Sequence, residues 1–160
     1  MEELPKPWFN MQDYKKVRLL EAKYEAEIAR RFLEEGLLRN AAGKVYQAWK
    51  ALVAAFATDY RDKLMQKFKG EVKIRGNKKV QKVDWIIAIM PSSLIKAVAQ
   101  TIGGDIDTYT NIALLLHQYQ YNGPDSQAIL SQYINDESAK EDILKLLSVI
   151  DNILSKVLNQ

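Results

Sequence analysis

The chain has 160 residues, no cysteine, a single histidine and a formal net charge of +3. That length suits one domain, residues 1–160, able to bury about two-thirds of the surface its unfolded form exposes. The lack of thiols excludes a disulfide framework, a thiolate metal site and a cysteine nucleophile, and with His117 alone we expect no metal and no cofactor.

The first residues, MEELPKPWFNMQDYKK, show no charged-then-apolar leader, and no apolar run approaches the length of a membrane span. The expectation is a cytoplasmic protein with no membrane contact. Pro5 and Pro7 keep the start out of a helix, and Trp8 and Phe9 are placed to fold back on the core. A long amphipathic helix follows, with Val17, Leu20, Tyr24, Ile28 and Phe32 at steps of three and four predicted to face inward. Asn10 or Asp13 suits its cap, and Gly36 suits a left-handed stop.

The stretch GLLRNAAGKVYQAWKALVAAF, residues 36–56, places Lys44 directly after a glycine. A phosphate-binding loop separates its two glycines by four residues and follows the lysine with Ser or Thr. Here six residues lie between Gly36 and Gly43, and Val45 follows, so that reading fails. A second helix fits better, capped by Asn40, with Val45, Trp49, Leu52, Phe56, Tyr60, Leu64 and Phe68 recurring every three or four residues. Ala41, Ala48 and Ala55 repeat every seven residues beside this stripe, so the helix is expected at the centre of a bundle. The short link between the two helices makes them an antiparallel hairpin.

Residues 69–82 change character. From Lys63 to Lys82 the chain carries +7, leaving −4 for the rest. Val72 and Ile74 alternate with charges before Gly76-Asn77, which fits a short exposed hairpin and equally a disordered loop. Lys69, Lys73, Arg75, Lys78, Lys79 and Lys82 are candidate phosphate contacts, or a solvated lysine-rich surface. No aromatic ladder or recognition helix points to base-specific reading.

Helical pattern resumes in VDWIIAIM, stops near Pro91, restarts through SSLIKAVAQTIGG and runs again from Asp105 to a stop at Gly123-Pro124. A shorter helix is predicted in PDSQAILSQYIND. A final amphipathic helix then turns Ile143, Leu146, Leu147, Ile150, Leu154 and Val157 inward. The fold class is all-α. Asp105 with Asp107, and Asp136 with Glu137, suit helix starts better than a metal, and Ser92 and Ser93 lack a nucleophile pattern. His117 and Tyr121, at i and i+4, share a helix face. The imidazole is open to three readings: an inter-helix hydrogen-bonding residue, a groove-lining residue, or an acid/base catalyst.

FLEEGLLRNAAGKVYQAWKALVAAF resembles the signature hairpin of the archaeal PaREP-type proteins, with its EG turn and alanine-rich helix carrying a lysine and a tryptophan. IALLLHQYQYNG is similar to that family's later segment ending in tyrosine and glycine. Lys44, Trp49, His117 and Tyr121 are the positions the resemblance singles out, as lining of a groove. The resemblance implies a HEPN-like antiparallel helical bundle, a homodimer, and ligands or partners such as a nucleotide, a nucleic acid, a protein or a small nucleotidyltransferase. HEPN ribonucleases place an arginine four to six residues of spacer before the histidine. Here Ile112, Asn111 and Thr110 occupy those positions, so ribonuclease chemistry is not carried over. The expected function is a non-catalytic binding module. The alternatives are an RNase or nucleotide-processing enzyme using His117, and a purely structural oligomer subunit whose contact face lies on the first or second helix.

Overall fold

A computed structural model describes residues 6–158; the expectation for Pro5 lies outside them. The chain is mostly helical. Helix α1 spans Met11–Glu34, α2 Leu38–Ala57, α3 Arg61–Lys67, α4 Lys82–Ile89, α5 Ile95–Ile102, α6 Gly104–Asn122 and α7 Asp136–Leu158. Strands β1, Glu71–Lys73, and β2, Lys79–Gln81, form a two-stranded antiparallel ribbon between α3 and α4.

Asn10 caps α1, its side chain accepting from the Asp13 amide at 3.0 Å. At the other end Gly36, with φ at 75°, lets the Gly36 amide donate to Leu33 (3.1 Å) and the Leu37 amide to Phe32 (2.8 Å). This paired reversal satisfies two terminal carbonyls and sends the chain straight into the next helix. Helix α2 therefore starts at Leu38, two residues before the expected cap; Asn40 lies inside its first turn, and the helix has no side-chain cap.

Thirteen of the twenty residues of α2 are buried, which makes it the central helix. It packs on α1, α4, α5, α6 and α7, and its contact with α1 is the most extensive in the molecule. The helix does not continue to Phe68. A 3-10 turn at Thr58–Tyr60 breaks it, and the Thr58 hydroxyl donates back to the Ala55 carbonyl at 2.7 Å.

The inward face of α1 differs from the expected one. Tyr14, Leu19, Ala22, Ala26 and Ala29 are buried, while Leu20 and Tyr24 remain 45% and 59% exposed. At about 100° per residue, Tyr24 lies nearly opposite Ala22 and Ala26. The cause is the alanine-rich surface of α2: small side chains on both helices allow a close approach that bulky leucines would prevent. Phe9 also stays on the surface, 67% exposed.

Side chains from α1 finish α4. The Tyr14 hydroxyl donates to the Ile87 carbonyl at 2.5 Å, and Arg18 Nη2 donates to the Ala88 carbonyl at 2.7 Å. Met90 follows in the left-handed region (φ 45°), with its side chain fully buried. The Asp84 carboxylate, 9% exposed, is held by both Nε and Nη2 of Arg61, at 2.7 and 3.0 Å, which ties α3 to α4.

Residues 123–135 do not form the expected short helix. The Asp125 carboxylate accepts from the amides of Gln127 (3.0 Å), Ile129 (2.9 Å) and Leu130 (2.7 Å), taking donors that a helix would need. Those amides hold its pKa below the ordinary carboxylate range. Asn135 then caps α7 through the Ser138 amide at 2.9 Å. Glycine supplies the start of α6: Gly103 precedes it without a side-chain cap, and Asp105 and Asp107 sit in the first turn, where they favour the helix dipole.

Adjacent residues on α1 give a direct test of its orientation. Leu19→Ala is expected to lower unfolding free energy by about 2–4 kcal/mol and Leu20→Ala by less than about 1 kcal/mol, measured by urea titration. Equal losses would mean that the helix is rotated from the position described.

Candidate functional site

Three elements meet around an open cleft of about 750 Å³. Helix α1 contributes Glu25 and Phe32, α2 contributes Arg39, Asn40, Gly43, Lys44 and Gln47, and α6 contributes Gln120 and Tyr121. Lys44 faces Glu25 across the helix pair, with Nζ 3.1 Å from Oε2. Arg39 Nε donates to the Gln120 carbonyl at 3.1 Å and Nη2 to the Tyr121 carbonyl at 2.5 Å, so its cation sits at the C-terminal end of α6, where the helix dipole favours it.

Gly43 is shaped by this cleft. A Cβ there would fall 2.5 Å from Gln120 Nε2, so the bare glycine is what lets the Gln120 amide lie over the α2 backbone. Its reason is a neighbouring side chain, and the cost of glycine in a helix, up to about 1 kcal/mol relative to alanine, is tolerated for that contact.

His117 stands behind the cleft. Its ring stacks on Tyr46 at 4.1 Å and 24°, and meets the edge of Tyr121 at 5.2 Å and 87°. Nδ1 is buried without a hydrogen-bond partner among the described residues. Burial, and then the charge of Lys50, hold the imidazole below its ordinary pKa, with the Gln120 amide acting the other way. It is therefore neutral at pH 7. Lys50 is itself lowered, first by burial and then by Arg18, against the pull of Glu21. Tyr46 shares a hydrogen bond with Ser92 at 2.5 Å, which fixes the stacked ring from the other side.

The four groove positions thus separate. Lys44 and Tyr121 line the cleft, and His117 packs against Tyr121. Trp49 does not join them. It is fully buried, and its Nε1 donates to Thr110 Oγ1 at 2.8 Å, while that hydroxyl donates to the Ile106 carbonyl at 2.6 Å. An indole on the α2 face toward α6 is enclosed by the same packing that makes α2 central. Glu25, Arg39, Gly43 and Gln120 were not read from the sequence as site residues; the one signal for them was a glycine inside an alanine-rich helix.

The basic segment forms an ordered ribbon. Glu71 pairs with Gln81, Val72 with Val80 and Lys73 with Lys79. The ladder continues through the Ile74 amide to the Lys78 carbonyl (2.9 Å) and the Lys82 amide to the Gly70 carbonyl (2.9 Å). Gly76, at φ 72°, turns the tip. Val80 is buried, whereas Lys69, Lys73, Arg75, Lys78 and Lys79 are exposed and Lys82 is half-buried. Lys78 Nζ lies 4.3 Å from the centroid of the Phe9 ring. Among the described residues, none of the eight basic side chains from Lys63 to Lys82 makes a salt bridge.

The ribbon and the cleft lie apart. Phe9, under the ribbon, precedes α1, whereas Glu25 stands fourteen residues into the helix from Met11, about 20 Å along the axis. Among the described residues no helix is long and apolar enough to cross a membrane, and no group of three or more His, Asp or Glu side chains could hold a metal ion.

The lowered His117 pKa has a defined effect on stability. Above pH 6.5, its ordinary value, both folded and unfolded chains carry neutral imidazole and the contribution is fully present. As pH falls through 6.5 toward the lower folded value, the unfolded chain binds the proton first and stability declines. His117→Gln should flatten that decline in urea titrations between about pH 8 and 5. An unchanged pH profile would show that the decline has another source.

Neither curated proteins nor solved structures yield a match to this chain. A family model does, over residues 17–144, from the first turns of α1 into α7 and including both the cleft and the ribbon. The chain belongs to the archaeal PaREP1/PaREP8 family.

Proposed function

We propose that this protein is a non-catalytic, HEPN-like helical module that binds nucleic acid through its basic ribbon and acts as a homodimer. The observation that carries nucleic-acid binding is the set of basic side chains from Lys63 to Lys82, on α3, the ribbon and the first residue of α4, none ion-paired among the described residues, beside a ribbon whose inward valine is buried. Cations without a carboxylate partner exchange salt counterions for phosphates at little structural cost. Lys73 and Lys79 are cross-strand partners, and Arg75 and Lys78 flank the tip, so the ribbon offers a short two-dimensional array of charge. Such an array engages the backbone and supplies no reading of bases.

Dimerisation rests on a second observation. Helix α2 leaves only a polar seam open, but α1 turns Leu20 and Tyr24 outward, flanked by half-buried Val17 and Ile28. An antiparallel copy of α1 centred near Ala22 sets Leu20 against Tyr24 and Asp13 against Arg31, which matches apolar with apolar and charge with opposite charge. The non-catalytic reading is supported by the enclosed Nδ1 of His117 and by Thr110, Asn111 and Ile112 in place of the ribonuclease arginine.

Fluorescence anisotropy with labelled RNA and DNA across a potassium chloride series tests the ribbon. Affinity should fall steeply with salt, and replacing Lys73, Arg75, Lys78 and Lys79 by glutamine should reduce the slope by about 0.9 for each duplex phosphate that is no longer neutralised. No binding at low salt, or an unchanged slope in the variant, would refute the ribbon's role. Light scattering should give twice the chain mass for the wild type and one chain mass for Tyr24→Glu; a monomeric wild type at micromolar concentration would refute the dimer.

A further inference from the structure

Alternation along the ribbon sorts its side chains onto two sides. Val72 and Ile74 are half-buried and Val80 is buried, so they mark the side facing the bundle, and Lys73 and Lys79 project from the other. The Ile74 amide donates to the Lys78 carbonyl at 2.9 Å, which sets Lys78 opposite Ile74 and hence on the bundle side. There its ammonium lies 4.3 Å from the centroid of the Phe9 ring. The basic surface thus continues round the ribbon and ends on an aromatic side chain.

The backbone holds Phe9 outward. Pro7 is buried and Trp8 half-buried, the Phe9 amide donates to the Lys6 carbonyl at 3.0 Å, and Asn10 caps α1 immediately after it. The chain on both sides of the ring is therefore fixed. The ring itself stays 67% exposed, with the Trp8 ring 6.2 Å away and tilted at 59°. An aromatic ring set out in this way offers a flat apolar surface to a planar partner.

We infer that the ribbon binds single-stranded nucleic acid in preference to duplex, with one base stacked on Phe9. The inference rests on the reading of the ribbon as a phosphate-contacting surface, and adds to it the strand class and a residue outside the basic set. Two features separate the strand classes. Bases inside a duplex keep both faces stacked and have none to give the ring, whereas an unpaired base has one, and its stacking on an aromatic side chain tolerates any sequence. A duplex is also stiff, with a persistence length of about 150 base pairs, and meets one side of the ribbon at a time. A single strand can pass from Lys73 and Lys79 round the edge to Lys78 and Phe9. Lys78, beside the ring, then meets the phosphate next to the stacked base.

Fluorescence anisotropy on the intact protein, with labelled strands of about twelve nucleotides, decides the matter. The probes, compared between about 0.05 and 0.3 M potassium chloride, are a mixed-sequence strand without self-pairing, a duplex of the same length, and a strand of abasic sites that keeps the phosphates and lacks the bases. At about 0.15 M salt the mixed-sequence strand should bind at least about fivefold more tightly than either of the others. Its advantage over duplex should widen as salt rises, because each neutralised phosphate adds about 0.7 to the slope on a single strand and about 0.9 on B-DNA. Phe9→Ala and Phe9→Leu should each weaken the strand by about fivefold or more, with salt slope, duplex affinity and thermal midpoint unchanged, and Phe9→Tyr should bind as the wild type. Leucine keeps the apolar contact, so its contrast with tyrosine isolates the planar ring. Duplex binding as tightly as the strand at every salt concentration, or Phe9→Ala binding the strand as the wild type, would overturn the inference and leave the ribbon's role intact, provided the ribbon variant still lowers the salt slope. Failure of all the probes to bind at low salt would refute the ribbon and this inference together.

Discussion

The close approach of α1 and α2 through alanine is the constraint on which the rest of the structure depends. Ala22, Ala26 and Ala29 on one helix, and the alanine-rich surface of the other, let two backbones come together with little side chain between them. With few large residues committed to α1, α2 keeps Tyr46, Trp49, Leu52 and Val53 for the helices on its other sides. A helix buried on nearly every face has no room for long polar chains except at its first turns and along one seam. Arg39, Lys44, Gln47 and Lys50 occupy those places. The cleft is thus a consequence of how the hairpin packs: it lies where α1 and the first turns of α2 meet the end of α6.

Long side chains reaching across to helix ends form the second layer. Tyr14 and Arg18 close α4, Arg39 closes α6, and Trp49 with Thr110 threads a donor to the Ile106 carbonyl. Each satisfies a backbone carbonyl while joining elements distant in sequence, which gives the packing direction that methyl contacts lack. The Tyr119 hydroxyl donates to Asp136 at 2.6 Å and that of Tyr133 to Asp142 at 2.7 Å, and burial together with these carboxylates holds both phenols well above their ordinary pKa. These tyrosines tie α6 and the 123–135 segment to α7.

Helix limits governed by one residue were legible in the sequence. Asn10, Gly36, the Gly103-Gly104 pair and Gly123 each act locally, through a cap or a left-handed turn. Features set by competition between distant groups were not. The spacing of Leu20 and Tyr24 is as regular as that of Ala22 and Ala26, and only the alanine surface of α2 decides which stripe turns inward. Residues 124–134 contain enough apolar spacing for a helix, but one carboxylate, Asp125, removes three amides from it. The site was half legible for the same reason. Lys44 and Tyr121 belong to patterns along the chain, whereas Glu25, Gly43 and Gln120 acquire meaning only when three helices meet.

The distance between ribbon and cleft bears on how the two could work together. About 20 Å of helix separates them, so the charges of the ribbon reach the cleft as a long-range field screened over about 8 Å at physiological salt. One path between them runs along α1. Its start lies next to the ribbon by way of Phe9 and Lys78, and its middle holds Glu25 against Lys44. Between those points the outward stripe of Leu20 and Tyr24 lies on the same helix. A partner seated on that stripe would press on the helix whose middle lines the cleft and whose start directly follows the Phe9 contact with the ribbon, which makes α1 a physical route by which assembly could alter either surface.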